Sequence, residues 1–279
     1  MSARAAIAGF AVHAPGTTTD HELMSALLAE EACPPAQAHT LLGRKGLLGK
    51  DSATRLALCA VHRALGLPPG KPTAAVPGAS STAVVVSSNL GNAGTVCDAA
   101  AKVSAGERRD ISPLDIPNAS SNVIASTIAI RFGCTGPNLT VCGGRTSGID
   151  ALGLAVRLLA AGRADRAVVV GVEPGDGPVG LAGTSAAAAC VVLDRAPGKV
   201  VVRTARQHDG PTPSLVTESA ALRLGPDDLT AVFGETYGAT GVLQAAVAAA
   251  WLAGGRAPGA VLTCGDAEDG YASVRLDAA

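Results

Sequence analysis

Short, continuously apolar runs alternate with longer segments of helical periodicity through most of the chain. Four such runs lie at residues 5–12, 82–87, 167–172 and 185–194. Apolar runs without polar alternation are typical of strands in a sheet that is covered on both faces. The pattern therefore predicts buried strands at these four places.

The segments between these runs carry helical patterns. The clearest follows Asp51, a favoured N-cap residue, and places Leu56, Leu58 and Val61 on an amphipathic pattern. Strands that alternate with long helices predict an α/β fold. Further helices are predicted at residues 21–29, 91–105, 118–130, 146–162, 218–224 and 242–253, and a further strand at 199–205.

Residues 136–152 combine a strand, a tight turn and a helix in a pattern used by active sites. A strand is predicted at 138–142, and the small residues 143–148 then turn the chain into the helix. At such a helix N-terminus, the backbone N–H groups and the helix dipole favour an anion, and enzymes place nucleophiles there. The residue at the apex is Arg145, which stays protonated and cannot act as a nucleophile.

The sequence of this stretch, GPNLTVCGGRTSGIDAL, resembles the nucleophile elbow of the β-ketoacyl synthases. In that family a strand of the type G-P-x-L-x-V leads into T-A-C-S-S-G-x-x-A-L. An alignment without gaps puts the family's catalytic cysteine at Arg145. The resemblance therefore implies a ketosynthase scaffold without its nucleophile.

A second resemblance lies in the C-terminal part of the chain. Residues 229–241 are similar to the family's K-x-x-x-G-H-T-x-G-A-A-G loop, which places Thr230 on the lysine and Glu235 on the histidine. The family's other histidine motif, H-G-T-G-T, has no counterpart, and Cys264-Gly265-Asp266 stands where the family has its Gly-Phe-Gly gate.

The resemblance implies the layered αβαβα architecture of the thiolase-like fold. We expect one domain over residues 1–279, with an N-terminal half at 1–195 and a shortened C-terminal half at 196–279. The resemblance is close over residues 1–195 and looser over 228–276. Most of the second half's usual insert is missing between these two regions.

Condensation by a ketosynthase needs a thiolate and two histidines. Here one of these positions holds Arg145, one holds Glu235 and the third is absent. Since the family's residues at these positions face each other, we expect Arg145 and Glu235 to form an ion pair that fills the former pocket. A separation above about 4–6 Å would contradict this expectation.

The resemblance is strongest to the chain length factors of bacterial type II polyketide systems, in particular those of the highly reducing, polyene type. Such a factor is a non-catalytic homologue that pairs with an active ketosynthase and limits the growth of the acyl chain. The implied partners are that ketosynthase and, through the complex, an acyl carrier protein.

The resemblance also suggests which residues line the interface or the end of the acyl tunnel. The helix at 91–105 places Ala93, Val96 and Ala100 on one face. A proline-bounded extended segment and the start of the next helix complete the predicted set, namely Leu114, Ile116, Asn118, Ser121 and Asn122. Packing of this face within the subunit remains the alternative.

Two other function classes remain open. The chain could be an acyl hydrolase or transferase whose chemistry has moved to Cys142, three residues before Arg145. It could instead be a homodimeric acyl-binding scaffold. Stoichiometric labelling of Cys142 by an acyl-thioester analogue would favour the first, and a stable homodimer without need of a partner would favour the second.

Composition argues against partners of other kinds. Charged residues make up 16% of the 279 residues, aromatic residues 2%, and the formal net charge is −1. Neither a basic surface nor base-stacking aromatic side chains are indicated, so we expect no nucleic-acid partner. No apolar run reaches the ~18–20 residues that cross a bilayer, and we expect no membrane partner.

The cysteines and the N-terminal segment favour a cytoplasmic protein. Seven cysteines without a C-x-x-C pair predict neither a disulfide framework nor a zinc site, and fit small buried side chains in a reducing compartment. The apolar core of residues 1–12 is short, so we interpret it as a first strand rather than a signal peptide. We expect no metal and no cofactor.

Overall fold

The computed structural model describes residues 3–17, 22, 27, 31–175, 183–203, 205–210 and 222–279. Ten strands of these residues form one mixed sheet in the order β3-β2-β4-β5-β1-β6-β10-β9-β8, with β7 paired to β10. The strands are β1 (Arg4–His13), β2 (Thr82–Ser87), β3 (Asn138–Val141), β4 (Arg166–Glu173), β5 (Ala187–Asp194), β6 (Val200–Arg203), β7 (Arg206–His208), β8 (Leu222–Leu224), β9 (Gly259–Asp266) and β10 (Gly270–Ala278).

Helices lie against this sheet and between its two parts. The helix after Asp51 is confirmed, with the Asp51 side chain accepting a hydrogen bond from the Thr54 N–H at 2.6 Å. The helices in the described residues are α1 (His39–Leu42), α2 (Ser52–Ala64), α3 (Ala93–Ser104), α4 (Val123–Phe132), α5 (Ser147–Ala160), α6 (Thr230–Phe233) and α7 (Thr240–Ala253).

The continuously apolar runs form strands that are buried on both faces, as predicted. Along β4, Ala167 and Val169 pack into a core with α5 and α7, whereas Val168 and Val170 pack into a second core with α2 and α4. Successive side chains of a strand point to opposite faces, so a strand between two cores has to be apolar at every position.

The layers follow the order of the predicted thiolase-like fold. Helices α2 and α4 cover one face of the first part of the sheet, formed by β3, β2, β4, β5 and β1. Helices α5 and α7 lie on its other face and also contact β9 and β10 of the second part. Strand β1 joins the two parts, since residues 6–13 pair with β5 and residues 4–6 pair with β6.

The second part of the sheet repeats the strand order of the first, without a described counterpart of β3 and with the short β7 added beside β10. The bounds of α7 and β9 lie 93 residues after those of α5 and β4 (147 to 240, 160 to 253, 166 to 259 and 173 to 266). The order β6-β10-β9-β8 corresponds to β1-β5-β4-β2, and no described strand corresponds to β3. The equivalent helices α5 and α7 cross where Gly148 meets Gly241.

Two predicted helices differ from the structure. The helix expected from residue 118 begins at Val123 instead. The residues before it, Ile116–Ala119, form a separate 3-10 turn with Pro117 as its second residue. The prediction of a helix at 218–224 is wrong for its last three residues, since they form β8 and pair in parallel with β9. The rest of that helix, and most of the helix expected at 21–29, lie outside the described residues.

Candidate functional site

The predicted elbow is present and is held by a small hydrogen-bond network. Strand β3 ends at Val141, a 3-10 turn spans Gly144–Thr146, and α5 begins at Ser147. The Ser147 hydroxyl accepts from the Gly143 N–H at 2.7 Å and lies 2.7 Å from the Gly144 carbonyl. The side-chain amide of Asn89 accepts from the Gly144 N–H at 3.0 Å and donates to its carbonyl at 3.1 Å. The apex of the elbow therefore has a fixed conformation.

The Arg145 side chain fills the apex and binds two carboxylates. Its Nη2 lies 2.9 Å from Glu235 Oε2, which confirms the predicted ion pair. Its Nε lies 3.0 Å from Oδ2 of Asp266, a contact that the sequence did not indicate. Burial alone would lower the pKa of Arg145, but Glu235 and Asp266 raise it, so the guanidinium stays charged.

The backbone at the apex is also occupied. The Arg145 N–H donates to Asp269 Oδ2 at 2.7 Å. The turn between β9 and β10 presents this carboxylate, because Oδ1 of Asp266 accepts from the N–H groups of Glu268 and Asp269 at 2.9 and 2.8 Å. An N–H at a helix start is the donor that would stabilise an oxyanion. Here it already has an acceptor from the protein itself.

Tyr237 closes the other side of the Arg145 guanidinium. Its ring centroid lies 5.8 Å from Arg145 Cζ, within range of a cation–π contact. Among the described residues it is the one non-glycine residue with positive φ, at 42°. Its N–H donates to Glu235 Oε1 at 2.6 Å, so Glu235 binds Arg145 with one oxygen and fixes this strained residue with the other.

Glu173 is a buried carboxylate beneath the elbow that sequence reasoning missed. Its oxygens accept from the N–H groups of Asn89 and Leu90 at 2.7 and 2.9 Å. Burial raises the pKa of Glu173 to about 7, although these N–H groups oppose the shift. A Cβ at Gly238 would meet the Asn89 side-chain amide and lie 2.8 Å from Glu173 Oε1, so a larger residue there would have to displace both side chains.

Cys142 and Thr230 lie at the margin of this site. Cys142 is exposed just after β3, and partial desolvation together with the Glu173 charge raises the pKa of its thiol. This shift disfavours the thiolate that a nucleophile requires. Thr230 is exposed at the start of α6, and no hydrogen bond among the described residues joins its side chain to Arg145.

Helix α3 and the segment after it carry most of the predicted interface residues at the surface. None of the described residues of α3 is buried in this chain. Val96 is 43% exposed, Leu114 59% and Ile116 52%. Ala100 is also exposed, and Ala93 is partly exposed.

The remaining three predicted interface residues differ in burial and in hydrogen bonding. Asn118 is buried, and its amide donates to the Gly49 carbonyl at 2.5 Å. Asn122 binds the edge strand β3, donating to Asn138 Oδ1 and accepting from the Thr140 hydroxyl, both at 2.8 Å. Ser121 is exposed. Of these three residues, Asn118 and Asn122 therefore make contacts within the chain.

The contacts of Asp266 and Asp269 with Arg145 were missed because these residues lie at the end of β9 and in the turn after it, and the sequence did not delineate that strand. The acidic sequence Asp266-Ala-Glu-Asp-Gly270 reads as an ordinary polar turn. One signal could have indicated further acidic partners. An arginine in a pocket has five N–H donors to satisfy, so Arg145 was expected to need more acceptors than Glu235 provides. Nothing in local spacing ties residue 145 to residues 266 and 269.

The chain belongs to the β-ketoacyl synthase family. The family's N-terminal domain, "Beta-ketoacyl synthase, N-terminal domain", matches residues 42–212. The 3-oxoacyl-[acyl-carrier-protein] synthase 2 of Vibrio cholerae serotype O1 is 34% identical over 102 residues, which are 37% of this chain and 25% of that protein. The protein of the same name from Rhizobium meliloti is 33% identical over 129 residues, 46% of this chain and 30% of that protein. The matches thus span less than a third of these relatives.

Solved structures share the thiolase-like fold over the whole chain. "The ishigamide ketosynthase/chain length factor" is similar with a TM-score of 0.71 and 20% identity, covering 98% of this chain and 99% of that one. A type II polyketide synthase acyl carrier protein in complex with its ketosynthase contains a chain with a TM-score of 0.76 and 12% identity, with full coverage of both chains. At these identities the likeness concerns the fold. Among the described residues no helix is both long and apolar enough to cross a membrane.

Proposed function

We propose that this chain is a non-catalytic chain length factor, which pairs with an active ketosynthase and shapes the end of its acyl tunnel. The observation that carries the proposal is the state of the elbow. Arg145 stands at the nucleophile position, its guanidinium is bound by Glu235 and Asp266, and its N–H is bound by Asp269. Neither a nucleophile nor a free oxyanion donor is left at the apex.

A subunit that performs no chemistry needs a surface through which it acts. Helix α3 offers one, because its described residues are all at least partly exposed while it carries Val96 and Val103 at 43% and 46% exposure. Isolated exposed apolar residues are ordinary, but a helix without a buried face within its own chain is not. This supports a partner that covers α3.

The open edge of the sheet lies beside the same surface. Strand β3 is the last strand of its part of the sheet and, among the described residues, pairs only with β2. Leu139 on β3 and Ile130 on the neighbouring α4 are 36% and 84% exposed. An uncovered edge flanked by apolar side chains is a common place for another chain to add. We infer that the ketosynthase covers β3, α3 and α4 together.

The test is co-expression with a catalytically intact ketosynthase, followed by size-exclusion chromatography and native mass spectrometry. A one-to-one heterodimer that makes product only when both chains and an acyl carrier protein are present is the expected result. A monomer or homodimer that does not bind the ketosynthase would contradict the proposal. Stoichiometric labelling of Cys142 by an acyl-thioester analogue would then favour a relocated acyl transferase or hydrolase.

A charge on the α3 surface tests whether this surface is the interface. The Val96→Asp and Leu114→Asp variants should abolish the heterodimer, because each would bury an unpaired carboxylate between the chains. The matched control is Ala196→Asp, an exposed position between β5 and β6. The interface assignment fails if all three variants pair equally well.

A further inference from the structure

One histidine and two cysteines, His13, Cys33 and Cys59, form a cluster outside the elbow. His13 is the last residue of β1, Cys59 lies on α2, and Cys33 lies in the segment before a 3-10 turn at Pro35–Gln37. Their ligand atoms, one nitrogen and two sulfurs, all lie within 4.8 Å of one another. The sequence does not show the cluster, because its three members come from three separate segments.

The His13 ring is fully buried beside the two cysteines. An imidazole ligates a metal ion through the lone pair of one ring nitrogen. The ring nitrogen nearest to Cys33 is Nε2, which lies 3.0 Å from the Cys33 carbonyl. Coordination through Nε2 requires its proton to move to Nδ1, which is buried without a hydrogen-bond partner among the described residues and can therefore carry it.

The His13–Cys33 separation matches that around a tetrahedral ion, and the other two donor separations are no more than 4.8 Å. Zinc–sulfur bonds of about 2.3 Å and zinc–nitrogen bonds of about 2.0–2.1 Å place neighbouring donor atoms roughly 3.5–3.8 Å apart. His13 Nε2 lies 3.8 Å from Cys33 Sγ. Since Cys33 is half-buried and lies outside helices and strands, it can adjust by the small amount that coordination requires.

The charges of the surroundings are compatible with two thiolates and one divalent ion. Arg63 and Arg131 are the cations near the cluster, and Nη2 of Arg63 donates to the Glu31 carbonyl at 2.8 Å. A positive charge there favours thiolates, and two thiolates neutralise a divalent ion, so the loaded site carries no net charge into the interior. Burial raises the pKa of the Cys59 thiol to about 12, so the ion itself has to displace the thiol protons.

We propose that His13, Cys33 and Cys59 bind one thiophilic divalent ion of the zinc class. On binding, the S–H bonds of Cys33 and Cys59 are replaced by two metal–sulfur bonds and two protons pass to solvent, with no change of oxidation state. Two soft sulfur ligands and one imidazole suit Zn²⁺ among the common cellular ions. The ion would tie residues 31–34 to β1 and α2, so that its binding energy adds to the stability of the fold.

The direct test titrates the reduced full chain with Co²⁺, a spectroscopic substitute for Zn²⁺. We expect one ion per chain, with the sulfur-to-cobalt charge-transfer band and the visible bands of a tetrahedral site, and we expect Zn²⁺ to displace it. Cys33→Ser and Cys59→Ala should each lose these bands. Cys97→Ser and Cys142→Ser, at a half-buried and an exposed cysteine elsewhere, should keep them.

Circular dichroism of each variant separates loss of the site from loss of the fold. Cys59 is fully buried, so its variant could unfold; Cys33→Ser, at a half-buried position, then carries the test. The proposal is overturned if the wild-type chain shows no charge-transfer band, or if the band survives in folded Cys33→Ser. A Cys33–Cys59 disulfide found by peptide mass spectrometry, together with no metal uptake after reduction, would also overturn it and point to a redox pair.

Discussion

Arg145 and Glu173 are two charged groups at the elbow that the protein handles in opposite ways. Arg145 stays charged because carboxylates surround it, and its exposed side-chain fraction of 29% keeps part of it in water. Glu173 is fully buried and has N–H donors but no cation among its described hydrogen-bond partners. Its burial therefore favours the protonated form. Each residue yields a measurable prediction.

The Arg145–Glu235 ion pair should contribute modestly to stability. In a double-mutant cycle of Arg145→Met and Glu235→Gln, we expect a coupling of about 0.5–1 kcal/mol, because both side chains are 29% exposed and partly screened by solvent. Urea unfolding of the four proteins measures it. The Arg195–Asp165 pair, with side chains 52% and 67% exposed, is the control and should give a coupling near zero. Equal couplings in the two cycles would contradict the role of Arg145 as a partly buried plug.

Glu173 should make the free energy of unfolding depend on pH. Its folded-state pKa of about 7 lies above the ordinary 4.5, so between these values the folded chain binds more protons than the unfolded chain. Stability should therefore fall as pH rises from about 4.5 to 7, by up to about 3 kcal/mol. Urea unfolding across this range should show a smaller fall for Glu173→Gln than for the wild type. Parallel pH profiles for the two proteins would show that Glu173 does not titrate in this way.

At the scale of elements, the crossing of α5 and α7 supports the elbow. A Cβ added to Gly148 would lie 2.8 Å from Gly241 Cα, and one added to Gly241 would lie 2.6 Å from the backbone nitrogen of Ile149. The clashing atoms belong to the backbone and cannot move aside alone. The close approach thus fixes how the helix that follows Arg145 sits against the helix that follows Glu235.

Alanine at either crossing glycine should destabilise the chain. For Gly148→Ala and Gly241→Ala we expect the free energy of unfolding to fall by about 1–3 kcal/mol, the usual cost of overpacking. The control is Gly254→Ala at the end of α7, where φ is −79° and the atom nearest to a new Cβ, the Ala250 carbonyl oxygen, would be 3.4 Å away. Denaturant unfolding compares the three. A loss at Gly254 as large as at the crossing would remove the packing explanation.

At the scale of the whole molecule, the chain leaves one side uncovered. The partly exposed helix α3, the apolar residues Leu114 and Ile116 and the open edge of β3 all belong to this side. The nearby crevice between α3 and residues 111–119 holds about 100 Å³ and is partly lined by Ile116. The proposed tunnel end therefore has to be completed by the ketosynthase.

Bulk on the outer face of α3 should shorten the product if this face limits the tunnel. With Ala93→Trp or Val96→Trp in the reconstituted complex, we expect mass spectrometry to show shorter acyl chains on the carrier protein, because an indole would occupy the space of the last units. Ala101→Trp is the control, since it is exposed on the same helix but turned by about 100° from Ala100. Unchanged chain lengths with a normal heterodimer would exclude these residues from the tunnel end.

The layered α/β fold and the elbow could be predicted because they depend on local order. Periodicity marked the strands buried on both faces and most helices, and the turn from β3 into α5 followed from its small residues. The predicted element boundaries were wrong at the start of α4, where Pro117 precedes Val123, and at β8, where pairing with β9 makes a strand of residues expected to be helical. Tertiary pairing overrides weak local propensity in such segments.

The resemblance of the sequence to the ketosynthase elbow predicted Arg145 at the position of the nucleophile, and it predicted Glu235 as the counter-ion that the structure places 2.9 Å away. The contacts of Asp266 and Asp269 with Arg145, the place of Glu173 beneath the elbow, and the meeting of His13 with two cysteines became visible in the folded chain alone. One cause accounts for all three. Backbone periodicity acts over a few residues, whereas these contacts form only when strand crossovers bring distant segments together.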